Sequence, residues 1–596
     1  MDLILQVFYS VFSSIILAAA LPTEFCLLGI PGLTLIALIP LYLAFSKSKN
    51  YFHSFLIGFF QTCVTHLLSS FWLANFKDFA ALTLGASAFG TGLIGGGVFL
   101  FMHHPFASSK AKNNLNDSSL SKKFTDTPVF RILYFASIYT LYEWIKSVGF
   151  LGYPWATLAG AIYRWPYLMQ IASVTGTYGI AWLIAFLNGL FAELMITFYN
   201  RFKLGDKLNI WSLNIAGRLI IILFAVSLVH GIYQYNKKRT PDRTLNAVMV
   251  QQNSNPWEED SDEDSILASE RMSQEHIDQM KNEGTPAELI VWSEGVLRYR
   301  FPQSEKHYKN YPDEKPLYNF VQENNIPLLT GGSFTRDKKR RIYFNAAIMY
   351  DAEGNYRGVY GKNHLVPMAE AIPGMEYPFV KDFMERFIGI SAGWTPGDQY
   401  VLFNIPCSYY TNRELDTVTT IDITIPYQEQ KLLDAKKPTV KIAAPICYDD
   451  AFPDIMRPLF LNGAELFVNL TDDSWSLLKS SEYQHYIISS YRCIEYRTPM
   501  VRSTNSGCTV VIDANGATLA MLPLFEQTAM HYTIPIYRRT MTTYARFGNW
   551  LPVLLLILCL AYIAYTCFTF VQDDYIPSER KIKKFNRPKK DKKKKK

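Results

Sequence analysis

Eight apolar stretches, each about as long as a bilayer is thick, decide most of what this chain can fold into. Their approximate bounds are Leu3–Leu21, Phe25–Phe45, Phe55–Ala74, Ala80–Met102, Val129–Leu151, Met169–Phe198, Ile215–Tyr233 and Trp550–Phe570. Any one of them is compatible with a buried core helix, but eight together imply a polytopic α-helical membrane protein. A segment of ordinary globular composition separates the seventh from the eighth. The expected division is a seven-helix membrane domain over residues 1–236, a central domain over 237–546, a C-terminal membrane helix over 547–572 and a basic tail over 573–596.

Lys and Arg fix the expected orientation, because basic flanks stay in the cytoplasm. "SKSKN" at Ser46–Asn50, the segment with Lys110, Lys112, Lys122 and Lys123, the segment with Arg201, Lys203 and Lys207, and the tail all fall on one side. The opposite loops offer only Lys77 and Arg164, so the central domain is expected outside the cytoplasm. The first block ends in "AAALP", which looks like a cleavage site, yet its start carries Asp2 and no basic residue, so it reads as a retained anchor. The net charge of +7 comes largely from the tail, which suits anionic lipid and gives no reason to expect nucleic-acid binding. None of the eight cysteines stands in a CxxC spacing, so neither a metal site, a cofactor nor a disulfide framework is suggested. Nothing points to a symmetric interface, and a monomer is expected.

From Asn246 onward, short β-type runs alternate with helical stretches. "AELIVWSE", "IPLLTGGSF", "VKIAAPICYD" and "AELFVNLTDD" are continuously apolar, as strands covered on both faces are. The alternation indicates a layered α/β fold. Tyr350–Pro367 reads as a hairpin around the Glu353-Gly354-Asn355 turn that delivers Lys362 just after its second strand, and Ser408–Pro438 as an excursion or insertion. Three reactive side chains follow β-type runs: Glu294, Lys362 and Cys447. Taken singly, they are compatible with a helix first-turn charge, a surface lysine and a small buried hydrophobe. Together they satisfy one requirement: a thiol that attacks a carbonyl needs a base and a cation, which Glu294 and Lys362 supply. A pairing of the cysteine with His364 or His485 is the competing arrangement. In the membrane part, Glu143 and Lys146 stand at i and i+3, a spacing at which they would pair with each other.

The ordered motifs "VWSE", "GKNHLVP" and "CYDDAFPD" resemble the Glu–Lys–Cys triad of the nitrilase superfamily of carbon–nitrogen hydrolases, whose fold is an αββα sandwich. With spans on both sides, the chain resembles the apolipoprotein N-acyltransferase branch of that superfamily. "YEWIKSVGFLGYPW" (Tyr142–Trp155), "QIASVTGTYGI", "VNLTDDSW", "RCIEYRTPMVRSTNSG" and "YARFGNW" resemble further family blocks in order. The chain departs from the pattern at Asp449, where the family usually has Glu, at "WSL" for Trp-Phe-Gly and at "WSEG" for Trp-Pro-Glu-Thr.

The resemblance implies a ping-pong acyl transfer. A glycerophospholipid gives its acyl chain to Cys447 as a thioester, and the α-amine of a diacylated apolipoprotein takes it up, at a multi-pass bacterial inner membrane. Glu294 serves as base and Lys362 as oxyanion partner, with supporting or substrate-contacting roles for Glu370, Tyr448, Asp449 and Trp257. The alternative is a membrane-anchored amidase or nitrilase hydrolysing a small amide.

Overall fold

The computed structural model describes residues 2–76, 81–110, 127–204, 211–255, 262–372, 377–383, 393–410 and 438–575, and residues 125, 374 and 386 singly. Residues 411–437 of the expected insertion and 576–596 of the tail lie outside the described residues.

Among the described residues, five helices are long and apolar enough to cross a membrane: Leu3–Ala20, Thr83–Phe106, Thr177–Lys203, Leu213–Asn236 and Trp550–Phe568. Two further helices, Tyr51–Ser69 and Pro128–Lys146, have 19 residues each and bury polar side chains such as Gln61, His66, Glu143 and Lys146. The Phe25–Phe45 block is not one helix. It breaks into a 3₁₀ turn, Pro31–Leu35, and a short helix, Ile39–Ser46, because Pro31 and Pro40 lack an N–H and fit the first turn of a helix far better than its interior. The broken segment still runs the length of the first helix. Ile30 N–H bonds to Ala19 O at one end (3.0 Å), and Gln6 Nε2 to Lys47 O at the other (3.1 Å).

Glu143 and Lys146 do not pair. The Glu143 carboxylate accepts from Leu158 N–H (2.8 Å), and Lys146 Nζ donates to Trp155 O (2.5 Å) and Ala156 O (3.3 Å). The buried loop backbone at residues 155–158 needs partners, and these two side chains satisfy it.

The C-terminal half is a sandwich of two sheets. The first sheet has strands β1 (Arg243–Gln251), β2 (Leu289–Val291), β3 (Leu297–Phe301), β4 (Leu328–Asp337), β5 (Ile342–Tyr350) and β6 (Tyr356–Gly361). The second has β7 (Leu402–Pro406), β9 (Thr439–Ala443), β10 (Leu466–Thr471), β11 (Met500–Thr504), β12 (Val510–Ile512) and β13 (Thr518–Met521). β8 (Ser408–Tyr409) and β14 (Thr528–Ile536) belong to the first sheet. The strand orders are β14-β1-β2-β4-β5-β6, with β3 on β4 and β8 on β1, and β13-β12-β11-β10-β9-β7.

Alternation along β1 sorts the cores. Leu245, Ala247 and Met249 join the core shared with the second sheet, whose β11 lies against β1, and Val248 and Val250 face the helices Glu263–Asn282 and Leu317–Asn324. On the far side of the second sheet lie the helices Pro453–Leu461 and Lys479–Tyr496, which completes four layers. The second of these helices is buried on two sides: Cys493 and Tyr496 join the sandwich core, while Ile487, Tyr491 and Ile494 join the core of the membrane helices.

Helices Tyr51–Ser69 and Ser87–Phe99 approach so closely that a Cβ on Gly95 would lie 2.1 Å from Thr62 Oγ1, whereas one on Gly97 would meet nothing within 4 Å. Gly95→Val is therefore expected to cost about 1–3 kcal/mol through overpacking. Thermal unfolding in detergent should show a lowered midpoint for Gly95→Val and an unchanged one for Gly97→Val.

Candidate active site

The ends of β2, β6 and β9 converge at the seam between the two sheets. Glu294 stands three residues past β2 and is admitted by Gly331 of β4, where a Cβ would come within 2.5 Å of Glu294 Cα. Lys362 follows directly on β6, its backbone N–H continuing the ladder to Asn345 O (2.8 Å). Its ammonium group is 1 % exposed and lies between two carboxylates, 3.3 Å from Glu294 Oε1 and 2.9 Å from Glu370 Oε2. Asn345 Nδ2 donates to the same two carboxylates, at 2.6 Å and 2.9 Å, and fixes their spacing. Glu294 Oε2 accepts from Asp472 N–H (2.8 Å), and Glu370 Oε2 from Val366 N–H (2.8 Å).

Charge and burial set the protonation states. Burial pushes the Glu294 carboxyl up, Lys362 opposes this and Glu370 reinforces it, leaving the group at about 7. Burial would lower the Lys362 ammonium, but Glu294, Glu370 and Cys447 outweigh it, and the lysine stays charged throughout the neutral range. Burial also raises the Cys447 thiol well above its usual value; Glu294 adds to the rise and Lys362 opposes it. Both side chains are thus near enough for their charges to act on the sulfur.

Cys447 opens the turn Cys447–Ala451 with φ +44°, a left-handed conformation that costs a non-glycine residue about 1–3 kcal/mol and needs support from its surroundings. Asn469 Nδ2 supplies part of that support by donating to Cys447 O (3.2 Å). Asp449 supplies most of it. Its carboxylate has no exposed surface and accepts from Ile446 N–H (3.1 Å), Asn363 N–H (3.2 Å), His364 N–H (2.7 Å) and Tyr360 O–H (2.9 Å). Burial pushes its carboxyl up to about 6, against the pull of the backbone donors. Asp449 therefore ties the cysteine turn to the residues just after Lys362.

Tyr448 points the other way. Its hydroxyl donates to Gly152 O (2.8 Å) and its ring stacks on Trp155 (centroids 5.1 Å apart), so the residue after the cysteine rests on a loop of the membrane part. Trp257 lies outside the described residues.

Behind the turn is a buried charge network. His485 Nδ1 bonds to Asp473 Oδ2 (2.8 Å) and Nε2 to Asp450 Oδ1 (2.8 Å), while Arg502 reaches both carboxylates. Burial alone would lower the imidazole; the two aspartates raise it to about 9 against Arg502. His485 is thus a fixed cation whose two nitrogens are both committed. It touches the cysteine only through Asp473, and the His364 ring stacks on Phe452 (3.6 Å). Cys447, Asp473 and His485 offer three ligand atoms within 4.8 Å of one another, the one grouping among the described residues with metal-ligand spacing.

Sequence reasoning missed Asn345, Asp450 and Arg502. Two of them were visible as anomalies, a lone Asn in "YFNAAIMY" and a lone Arg in "PMVRST", each interrupting an apolar strand.

Residues 247–542 match the carbon–nitrogen hydrolase family, and residues 13–190 match the apolipoprotein N-acyltransferase N-terminal domain. The chain is similar over most of its length to apolipoprotein N-acyltransferase 2 of Treponema pallidum, at 34% identity covering 91% of each chain. It is similar to apolipoprotein N-acyltransferase 2 of Treponema denticola at 32% identity, covering 94% of this chain and 97% of that one. The apolipoprotein N-acyltransferase of Borreliella burgdorferi is 28% identical, covering 94% and 95%.

Asp449→Asn turns an amide N–H toward at least one of the backbone N–H groups the carboxylate now accepts from. A loss of about 3 kcal/mol is expected, visible as a lowered unfolding midpoint, together with at least a tenfold drop in acyl transfer if the turn relaxes away from φ +44°.

Proposed function

The chain belongs to the apolipoprotein N-acyltransferase family, and on that premise we propose that Cys447 carries an acyl chain, as a thioester, from a glycerophospholipid to the α-amine of an N-terminal diacylglyceryl-cysteine. Membership makes the protein a membrane-bound bacterial acyltransferase of lipoprotein biosynthesis. The donor and the residue roles are our reading, and the observation that carries it is the grouping of Glu294, Lys362 and Cys447 at the sheet seam.

In the first half-reaction, Glu294 takes the thiol proton and the sulfur bonds to the ester carbonyl carbon. The oxygen becomes an oxyanion beside the Lys362 ammonium. Collapse breaks the carbon–oxygen bond, and Glu294 returns the proton to the departing lysophospholipid hydroxyl. In the second, the acceptor amine attacks the thioester carbonyl, Glu294 takes a proton from the nitrogen, and the thiol is regenerated as the amide forms. Glu370 and Asn345 are positioning residues: they hold the lysine and the base apart at a fixed spacing.

Contacts with the membrane part support a catalytic half outside the cytoplasm. Gln484 bonds to Pro22 O and Ser69 O, Asn75 to Ser476 O, and Tyr448 to Gly152 O, all in loops opposite the Lys/Arg-rich ones. We assign residues 1–236 and 547–572 to the membrane, 237–546 to the catalytic unit and 573–596 to a cytoplasmic tail. The family match over residues 13–190 weighs against a simple amidase, which has no need of that membrane part.

Labelled phospholipid should leave a hydroxylamine-sensitive acyl group on the wild type and none on Cys447→Ala; an active Cys447→Ala protein would refute the reading. Because Glu294 acts as a base only when ionised, and its carboxyl sits at about 7, acylation should rise with pH through neutrality. One unit below that value the rate should be about tenfold under its plateau. Glu294→Gln should lose at least about 100-fold, measured by single-turnover acylation.

A further inference from the structure

The reactions above use one face of the Cys447 sulfur. The other face is also occupied. Cys447 S–H donates to Asp473 Oδ1 at 3.8 Å, and Asp473 is held by His485 Nδ1 (2.8 and 2.9 Å) and Arg502 Nη2 (3.5 Å). Those two cations are in turn anchored by Asp450, in the cysteine's own turn, which also accepts from Ser489 Oγ (2.8 Å). Asp473 therefore has a defined place behind the sulfur. Thr471, at the end of β10, faces the sulfur too, with its buried hydroxyl close enough to favour the ionised thiol.

We propose that Asp473 is a positioning residue that accepts the Cys447 S–H hydrogen bond between turnovers and keeps the sulfur in its uncharged thiol form until an ester carbonyl arrives. The inference rests on Cys447 being the acyl-carrying thiol. Burial would raise the Asp473 carboxyl, but His485 and Arg502 hold it below the usual carboxylate range, so it is an ionised acceptor at neutral pH. An anion there opposes ionisation of the thiol, while Lys362 and the Thr471 hydroxyl favour it. The other charged or titratable groups around the pair are Glu294, Tyr448, Asp449, Asp450, Asp472, Glu482 and Cys508.

The arrangement separates two requirements. A thiolate is what oxidants and stray electrophiles attack, so a thiol held on a carboxylate is protected in an exterior compartment. When the ester binds, the proton passes from sulfur to Glu294, the sulfur–carbon bond forms, and the negative charge moves to the carbonyl oxygen beside Lys362. Asp473 gains no proton in this sequence; it loses only a hydrogen bond.

The test is the pH profile of Cys447 alkylation by iodoacetamide in the full-length protein in detergent, read by peptide mass spectrometry. Asp473→Asn should shift the profile down by about one pH unit, which is about tenfold faster alkylation near neutrality. Asp473→Glu, which keeps the charge, should stay with the wild type. An Asn variant with the wild-type profile overturns the proposal, as does a Glu variant that shifts with the Asn variant. If Asp473→Asn does not fold, the wild type decides. The infrared S–H band lost in Cys447→Ser should lie below that of a water-exposed thiol, and an unshifted band overturns the proposal. Alkylation needs no acyl donor, so failure to form a thioester would refute the proposed function while leaving this result readable.

Discussion

Two sheets packed by apolar side chains have no fixed register, because hydrophobic burial is non-directional. The Asp449 carboxylate supplies the direction. It bonds to Ile446, just past β9 of the second sheet, and to Tyr360, Asn363 and His364, at the end of β6 of the first. Those two strand ends carry Cys447 and Lys362. A group with no exposed surface thus links the strand end that carries the nucleophile to the one that carries the cation, beside the Glu294–Asp472 bond, and the strained φ of Cys447 persists because the same group holds the turn closed.

Around that clamp the site has two electrostatic regimes. In front, Lys362 stands between two carboxylates, more negative charge than it can balance, and burial settles the difference by raising Glu294 to about 7. Behind, Asp450, Asp473, His485 and Arg502 form a balanced set of two anions and two cations whose members are held in their charged forms. A group that must exchange protons sits in the unbalanced region, and groups that must not sit in the balanced one.

Much of this was legible in the sequence. Glu294, Lys362 and Cys447 could be found because each ends an apolar β-type run, a local pattern. Glu370 followed from its place in the same motif as Lys362. Asp449 was noticed as a departure from the expected Glu, but its role was not, because its four partners come from segments up to 89 residues away. Trp257 stands untested by the geometry. The membrane blocks were visible by composition, while the break in Phe25–Phe45 depended on weighing Pro31 and Pro40 against a continuous apolar stretch. His485 was weighed as a base and is instead a committed cation, which only its two carboxylate partners reveal.

The helix Lys479–Tyr496 belongs to two interiors at once, with Cys493 and Tyr496 in the sandwich and Ile487 and Tyr491 among the membrane helices. A soluble hydrolase can turn the outer face of such a helix to water; this one cannot. Severed from its anchors, the catalytic half would expose an oily flank and strand Gln484, whose amide reaches Pro22 and Ser69. The two halves are therefore not interchangeable modules. Neither can be swapped for a relative's unless the surface of this one helix is exchanged with it.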